Sequence, residues 1–138
     1  MAATGFNPAI LGPWLGDWLV NLFTVSKAHS NMTTYNSQGP ITANPGGGQA
    51  NATPITSPLC VVGTVATTGD SVSLPPSNQG GQVIILTNAT TTTMQVFAAP
   101  GTSDTINVQA GSTGVTQAQR TALYMSPSPG AWYRILSN

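Results

Sequence analysis

The residues that could do chemistry are few in this 138-residue chain, because only six side chains are charged at neutral pH. Paired acid–base catalysis needs two carboxyl groups that flank the reacting bond, and the three aspartates stand so far apart in the sequence that only folding could pair them. His29 is the only histidine, and no His, Cys or Asp spacing matches a metal site. The sequence therefore predicts no catalytic residue, no metal and no cofactor, which is typical of a protein that is not an enzyme. The charged residues are Asp17, Lys27, Asp70, Asp104, Arg120 and Arg134.

Three of the potentially reactive residues have a structural interpretation. Asp70 and Asp104 each precede a short β-like run, where a carboxylate accepts hydrogen bonds from backbone N–H groups of a turn. Cys60 lies in the apolar run Leu-Cys-Val-Val, without a basic neighbour that would stabilise a thiolate. We expect both aspartates to support turns and Cys60 to be a small buried hydrophobic residue.

The scarcity of charge also restricts the partners of the protein. Charged residues make up 4% of the chain, against about a quarter in an ordinary soluble domain, and the net charge is zero. A free protein normally keeps a charged surface and a net charge away from zero. Binding to nucleic acid requires a basic patch, whereas the three basic residues are dispersed. We therefore expect permanent contact with other protein and no nucleic-acid partner.

One element near the N-terminus is well defined by its pattern. Apolar residues occur at positions 10, 11, 14, 15, 18, 19, 22 and 23, a spacing that predicts an amphipathic helix over residues 13–23. Gly12-Pro13 fits the start of such a helix. The apolar segment of about 14 residues is too short to cross a bilayer, which needs about 20. No basic residue precedes it, as one would in a secretion signal. The sequence thus predicts no membrane partner and synthesis in a cytoplasm.

One face of this predicted helix is large and apolar. Exposing its two tryptophans to water would be costly, at about 25 cal/mol per Å² of apolar surface. The face must therefore pack on the β-structure of the same molecule, on a neighbouring subunit or on a host protein. We take it as the candidate partner-binding surface, formed by Trp14, Leu15, Trp18, Leu19, Leu22 and Phe23.

The remainder of the chain changes character near residue 50. Residues 27–49 are polar and rich in Pro and Gly, so we assign residues 1–50 to the helix and an extended arm. Residues 51–138 contain short alternating runs separated by Gly, Pro, Asn and Asp, which predicts an all-β domain, an antiparallel β-sandwich of the jelly-roll type. The apolar run 83–86 predicts a central strand covered on both faces. The predicted strands are 59–65, 71–74, 82–88, 92–97, 105–108, 114–116, 121–125 and 132–136.

Trp132 and Tyr133 allow two interpretations. Adjacent aromatic rings near Asn and Thr side chains could line a carbohydrate site in a lectin-like sandwich, which makes this pair the alternative glycan-binding site. On a final β-strand, however, neighbouring side chains point to opposite faces of the sheet. One ring would then be buried and the other exposed, and we favour this second interpretation.

Five segments in the second half of the chain resemble a pattern found in virion proteins of tailed bacteriophages. They are residues 69–76 (GDSVSLPP), 81–88 (GQVIILTN), 94–101 (MQVFAAPG), 104–107 (DTIN) and 130–133 (GAWY). The resemblance covers about half of the chain. With the short length and the N-terminal arm, the whole resembles the capsid cement (decoration) proteins, in particular the jelly-roll type found on a Bordetella podovirus.

This resemblance implies a non-enzymatic structural protein of the virion. It implies a homodimer, or alternatively a trimer, on the outside of an HK97-like capsid shell, bridging major capsid proteins after synthesis in the host cytoplasm. The family offers no catalytic residues to carry over. Two alternatives stay open, a carbohydrate- or receptor-binding module of a phage fibre and a component of the tail or baseplate.

Overall fold

The computed structural model describes residues 36–137, and within that range every regular element is a β-strand. The strands are β1 (Ser37–Thr42), β2 (Thr53–Pro54), β3 (Leu59–Thr64), β4 (Ser71–Ser73), β5 (Gln82–Asn88), β6 (Met94–Phe97), β7 (Thr105–Ile106), β8 (Gln109–Ala110), β9 (Val115–Gln117), β10 (Arg120–Ser128) and β11 (Ala131–Leu136). The predicted all-β class is confirmed. Each predicted run overlaps a strand, and the sequence pattern did not indicate β1, β2 and β8.

The strands form two sheets with mixed pairing. One sheet has seven strands in the order β1-β3-β5-β10-β11-β7-β8, and the other has four in the order β2-β4-β6-β9. Five strand pairs are parallel and four are antiparallel. The prediction of an antiparallel, jelly-roll-like pairing was therefore wrong.

The parallel pairs arise because the chain alternates between the two sheets. From β1 to β6 each successive strand joins the other sheet, so β1, β3 and β5 become parallel neighbours in one sheet, as do β2, β4 and β6 in the other. A parallel pair needs a crossover connection, and here each crossover contains a strand of the opposite sheet. Period-two alternation reports which face is buried but not the direction of the neighbouring strand, so the sequence pattern could not distinguish the two arrangements.

Side chains of both sheets form one hydrophobic core. The seven-stranded sheet contributes Cys60, Val62, Leu86, Tyr124 and Trp132 among others, and the four-stranded sheet contributes Val72, Met94 and Val96. In β5 the inward residues are Ile84 and Leu86, whereas Val83 is 45% exposed. The described residues thus cover β5 on one face only, so residues 36–137 do not supply the expected cover on its second face.

A buried polar network ties the two sheets together. The Gln117 side chain, at the end of β9, donates from Nε2 to the carbonyl of Leu86 in β5 at 3.0 Å. Its Oε1 accepts a hydrogen bond from the hydroxyl of Tyr124 in β10 at 3.0 Å, and its backbone carbonyl accepts one from Asn88 Nδ2 at 3.1 Å. Because an unpaired polar group is costly in the core, these bonds specify how the sheets align.

The β-structure begins inside the segment assigned to an extended arm. Residues 37–42 pair with β3 as an edge strand, and Asn44 exchanges backbone hydrogen bonds with Ser71 at 2.8 and 3.0 Å. The predicted helix at 13–23 and its six-residue partner-binding face lie outside the described residues. Within residues 36–137 there is no helix long and apolar enough to cross a membrane.

Candidate functional site: an uncharged face of the seven-stranded sheet

Asp70 holds a turn rather than presenting a free carboxylate. Its two oxygens accept hydrogen bonds from the backbone N–H groups of Gly46 (3.2 Å), Ala66 (2.8 Å) and Thr67 (3.0 Å), and from the Thr67 hydroxyl (2.7 Å). The bonds from Thr67 are the main cause that lowers the pKa of Asp70 below its ordinary 3.8, although burial acts in the opposite direction. The predicted turn role is confirmed.

Asp104 and Cys60 also have structural positions. Asp104 Oδ2 accepts a hydrogen bond from the backbone N–H of Ser77 at 2.7 Å, which joins two loops. Cys60 is buried in the core as predicted, and burial raises the pKa of its thiol to about 11. Within the described range, no three His, Cys, Asp or Glu side chains come together as a possible metal site.

The outward side of the seven-stranded sheet is apolar across four strands. Strand register aligns Val83, Met125 and Tyr133 in one cross-strand row. The next row aligns Leu59, Ile85, Leu123 and Ile135. We call this surface the outer face and define it by these seven side chains together with Val61.

The outer face is accessible and carries no charged side chain. Ile135 is 56% exposed, Val83 45% and Tyr133 42%, while Leu123 and Met125 are half-buried. Single exposed apolar residues are ordinary on a protein surface, whereas a contiguous apolar patch of a few hundred Å² is often functional. At its margin the hydroxyls of Thr87 and Thr121 bond to each other at 2.9 Å, so the border is polar but neutral.

A shallow pocket lies at one end of the outer face. It has a volume of about 300 Å³, enough for one large apolar side chain of a partner. Its lining combines Val83, Met125, Pro127 and Tyr133 with the backbone of Gly81. Such a pocket is where a buried anchor residue of a partner typically contributes most to binding.

The size of the outer face limits what it can bind alone. Four strands about 4.8 Å apart and five residues rising about 3.3 Å each give a surface of roughly 300 Å². A stable two-protein interface buries about 800 Å² on each partner. The outer face by itself therefore supports a weak contact, which becomes durable only when it is repeated or combined with another.

The structure separates the two aromatic residues of the alternative glycan site. Trp132 is fully buried in the core, and Tyr133 lies on the outer face. The expected division of the two rings between opposite sides of β11 is confirmed. Only Tyr133 of this pair is available to a ligand at the surface.

The outer face was not predicted from the sequence, although the sequence contains apolar residues at the outward positions of its strands. Val83 and Ile85, and likewise Leu123 and Met125, occupy outward positions of strands whose inward positions are also apolar. A strand that is apolar on both sides is covered twice or presents an apolar surface. Which of these two holds depends on whether another element packs on the second side of the strand. Hydrophobic periodicity does not predict that packing.

Comparison of the chain with protein-family models, with curated proteins and with solved structures found no match.

Proposed function

We propose that this protein is a non-enzymatic structural protein of a tailed-bacteriophage virion, a capsid cement protein that binds the outside of the head. The observation that carries the proposal is the outer face, which is apolar, uncharged and continuous over four strands. The backbone contacts of Asp70 and Asp104 support a non-enzymatic role, because they give each carboxylate a structural task.

The occupant that best fits the outer face is the major capsid protein of the shell. A contact of roughly 300 Å² is too small for a stable complex of two free proteins. On a shell the same contact is offered at many equivalent positions, so that linked binding events raise the overall affinity. The capsid surface that fits must be apolar and uncharged, since a charge buried against this face would lose its hydration.

The predicted N-terminal helix supplies a second attachment in this proposal. Its apolar face, which carries Trp14 and Trp18, would contact a neighbouring subunit of the shell. We expect Trp18→Asp to reduce occupancy on purified shells by at least about tenfold, since it places a charge in an apolar contact. Normal occupancy of this variant would show that the helix face takes no part in attachment.

Two finer features belong to the same proposal. The shared core supports a stacking of the two sheets as a β-sandwich, with mixed instead of antiparallel pairing. The resemblance to cement proteins supports a homodimer on the capsid. The carbohydrate-binding alternative has less support at Trp132 and Tyr133, because the tryptophan ring is buried.

Counting the copies of this protein in purified virions tests the proposal. Quantitative mass spectrometry of the phage that encodes it should find hundreds of copies per particle, in a fixed ratio to the major capsid protein. A dozen copies or fewer would place the protein at the tail tip, and none would remove it from the virion. Either result would overturn the assignment to the head.

A further inference from the structure

A second concave site lies where the two sheets meet, away from the outer face. Its volume is about 350 Å³, within the range of small-molecule sites. The walls come from β6 and β9 of one sheet and from β8, β11 and the β7–β8 turn of the other. The polar residues that line it are Gln95, Asn107, Gln109, Thr113, Thr116 and Arg134.

Arg134 gives this polar pocket a positive charge and a fixed donor. Its Nη1 donates to the carbonyl of Thr116 at 2.6 Å, which anchors the side chain against β9. A guanidinium has five N–H donors, and Arg134 also interacts with the Tyr124 hydroxyl, so the donors that serve neither Thr116 nor Tyr124 can serve a ligand. The lining includes no Asp or Glu, and the backbone contacts of Asp70 and Asp104 lie elsewhere. The pocket is therefore suited to an anion.

The β7–β8 turn, which forms one wall of the pocket, contains two residues with strained backbone conformations. Asn107 and Val108 have φ values of 50° and 62°, and Val108 is 80% exposed. A β-branched residue rarely adopts positive φ, and strain of this kind is often kept where it positions a functional group. Here the turn places Asn107 so that its Oδ1 accepts a hydrogen bond from the backbone N–H of Arg134 at 2.8 Å. The amide nitrogen of Asn107 remains as a donor.

The polar side chains that line the pocket fit one class of ligand. The amides and hydroxyls match a molecule with several hydroxyl groups, and a guanidinium matches the planar fork of a carboxylate. The lining contains no aromatic ring, so the hydrophobic platform that a neutral sugar would stack on is missing. We propose that this polar pocket binds an acidic saccharide, with Arg134 holding the sugar carboxylate.

The polar pocket is independent of the outer face. Arg134 pairs with the buried Tyr124 in the register of β10 and β11, so its side chain leaves the sheet on the side opposite to Tyr133 and Ile135. Saccharide binding can therefore fail while attachment to the capsid persists, and the reverse also holds.

Calorimetric titration of the purified protein with glucuronic acid tests this inference, with glucose and the methyl ester of glucuronic acid as uncharged controls. We expect saturable binding of the acid and at least about tenfold weaker binding of both controls, since neither control can form the charge-assisted hydrogen bonds of the carboxylate. Equal binding of the ester, or no binding of the acid, would overturn the proposal. Acetate binding as tightly as the sugar would overturn the saccharide assignment.

Variants assign the binding to the pocket. Arg134→Gln should weaken binding of the acid at least about tenfold, whereas Arg120→Gln removes the same charge outside the pocket and should leave binding unchanged. Because Arg134 also anchors β9, Gln109→Ala serves as a second variant on an exposed strand, and it should weaken binding several-fold with an unchanged melting temperature. Unaltered binding by both pocket variants would contradict the site.

Discussion

At the level of single residues, the two tyrosines of the last strands have opposite environments. Tyr124 is fully buried and donates its hydroxyl hydrogen to Gln117 Oε1. Burial raises its pKa strongly, while the nearby Arg134 acts in the opposite direction. Tyr133 is 42% exposed on the outer face. The buried hydroxyl therefore belongs to the network that aligns the sheets, whereas Tyr133 belongs to the exposed outer face.

Removing each hydroxyl should reveal this difference. Tyr124→Phe leaves the Gln117 oxygen without its donor in the core, so we expect a loss of about 1–3 kcal/mol in the free energy of unfolding. Tyr133→Phe is the matched control and should change that free energy by less than about 0.5 kcal/mol. Urea denaturation measures both. Equal effects of the two substitutions would show that the buried hydrogen bond is not stabilising.

Asp70 makes folding stability depend on pH in a defined direction. Its pKa in the folded protein is lowered from the ordinary 3.8, so the unfolded chain takes up a proton first as the pH falls. The stabilisation is therefore complete above that ordinary value and is lost as the pH falls through the folded pKa. The Asp70→Asn variant lacks this group. Urea denaturation at pH 7 and pH 3 should show a larger difference between native and variant proteins at pH 7, and a constant difference would refute the assignment.

Among the elements, local patterns predicted the strands well and their partners poorly. The alternation in Ser71-Val72-Ser73-Leu74 and the run 83–86 each marked a strand correctly. The edge strand β1 was missed because Gly39 and Pro40 are residues that ordinarily interrupt strands. Its place depends on backbone pairing with β3, which is distant in the sequence and leaves no local signal.

The β7–β8 turn shows how tertiary contacts override propensity. Residues 105–108 predicted a strand that includes Val108, but the strand ends at Ile106 and the chain turns back. Asn tolerates the left-handed conformation, and the hydrogen bond from the Arg134 backbone holds it there. Valine has no such tolerance, so the turn carries strain at an exposed position.

Replacing that valine should relieve the strain. We expect Val108→Gly to raise the free energy of unfolding by about 1 kcal/mol, because glycine adopts positive φ without a steric penalty. The side chain is 80% exposed, so little packing is lost. Chemical denaturation of the variant measures the change. A destabilised variant would indicate that Val108 makes a contact that outweighs its backbone strain.

For the whole molecule, the low charge of the sequence and the uncharged outer face point to the same mode of recognition. The composition predicted contact with other protein but not the outer face that we propose for it, because this face assembles from strands far apart in the chain. Apolar contact without ion pairs resists salt, since only charged interactions are screened. In the proposed role, durable attachment then depends on apolar burial and on the number of contacts made at once.

The most direct test is the occupancy of purified capsid shells by the native protein and by two variants, measured by co-sedimentation in 1 M NaCl, where the screening length is about 3 Å. Ile135→Asp places a charge on the outer face, and Val108→Asp places the same charge at an exposed valine away from it. Circular dichroism confirms that both variants are folded. We expect the native protein and Val108→Asp to stay bound and Ile135→Asp to lose at least about tenfold in occupancy. Full occupancy by Ile135→Asp would show that the outer face does not bind the capsid, and release of the native protein by salt would show that attachment depends on charge.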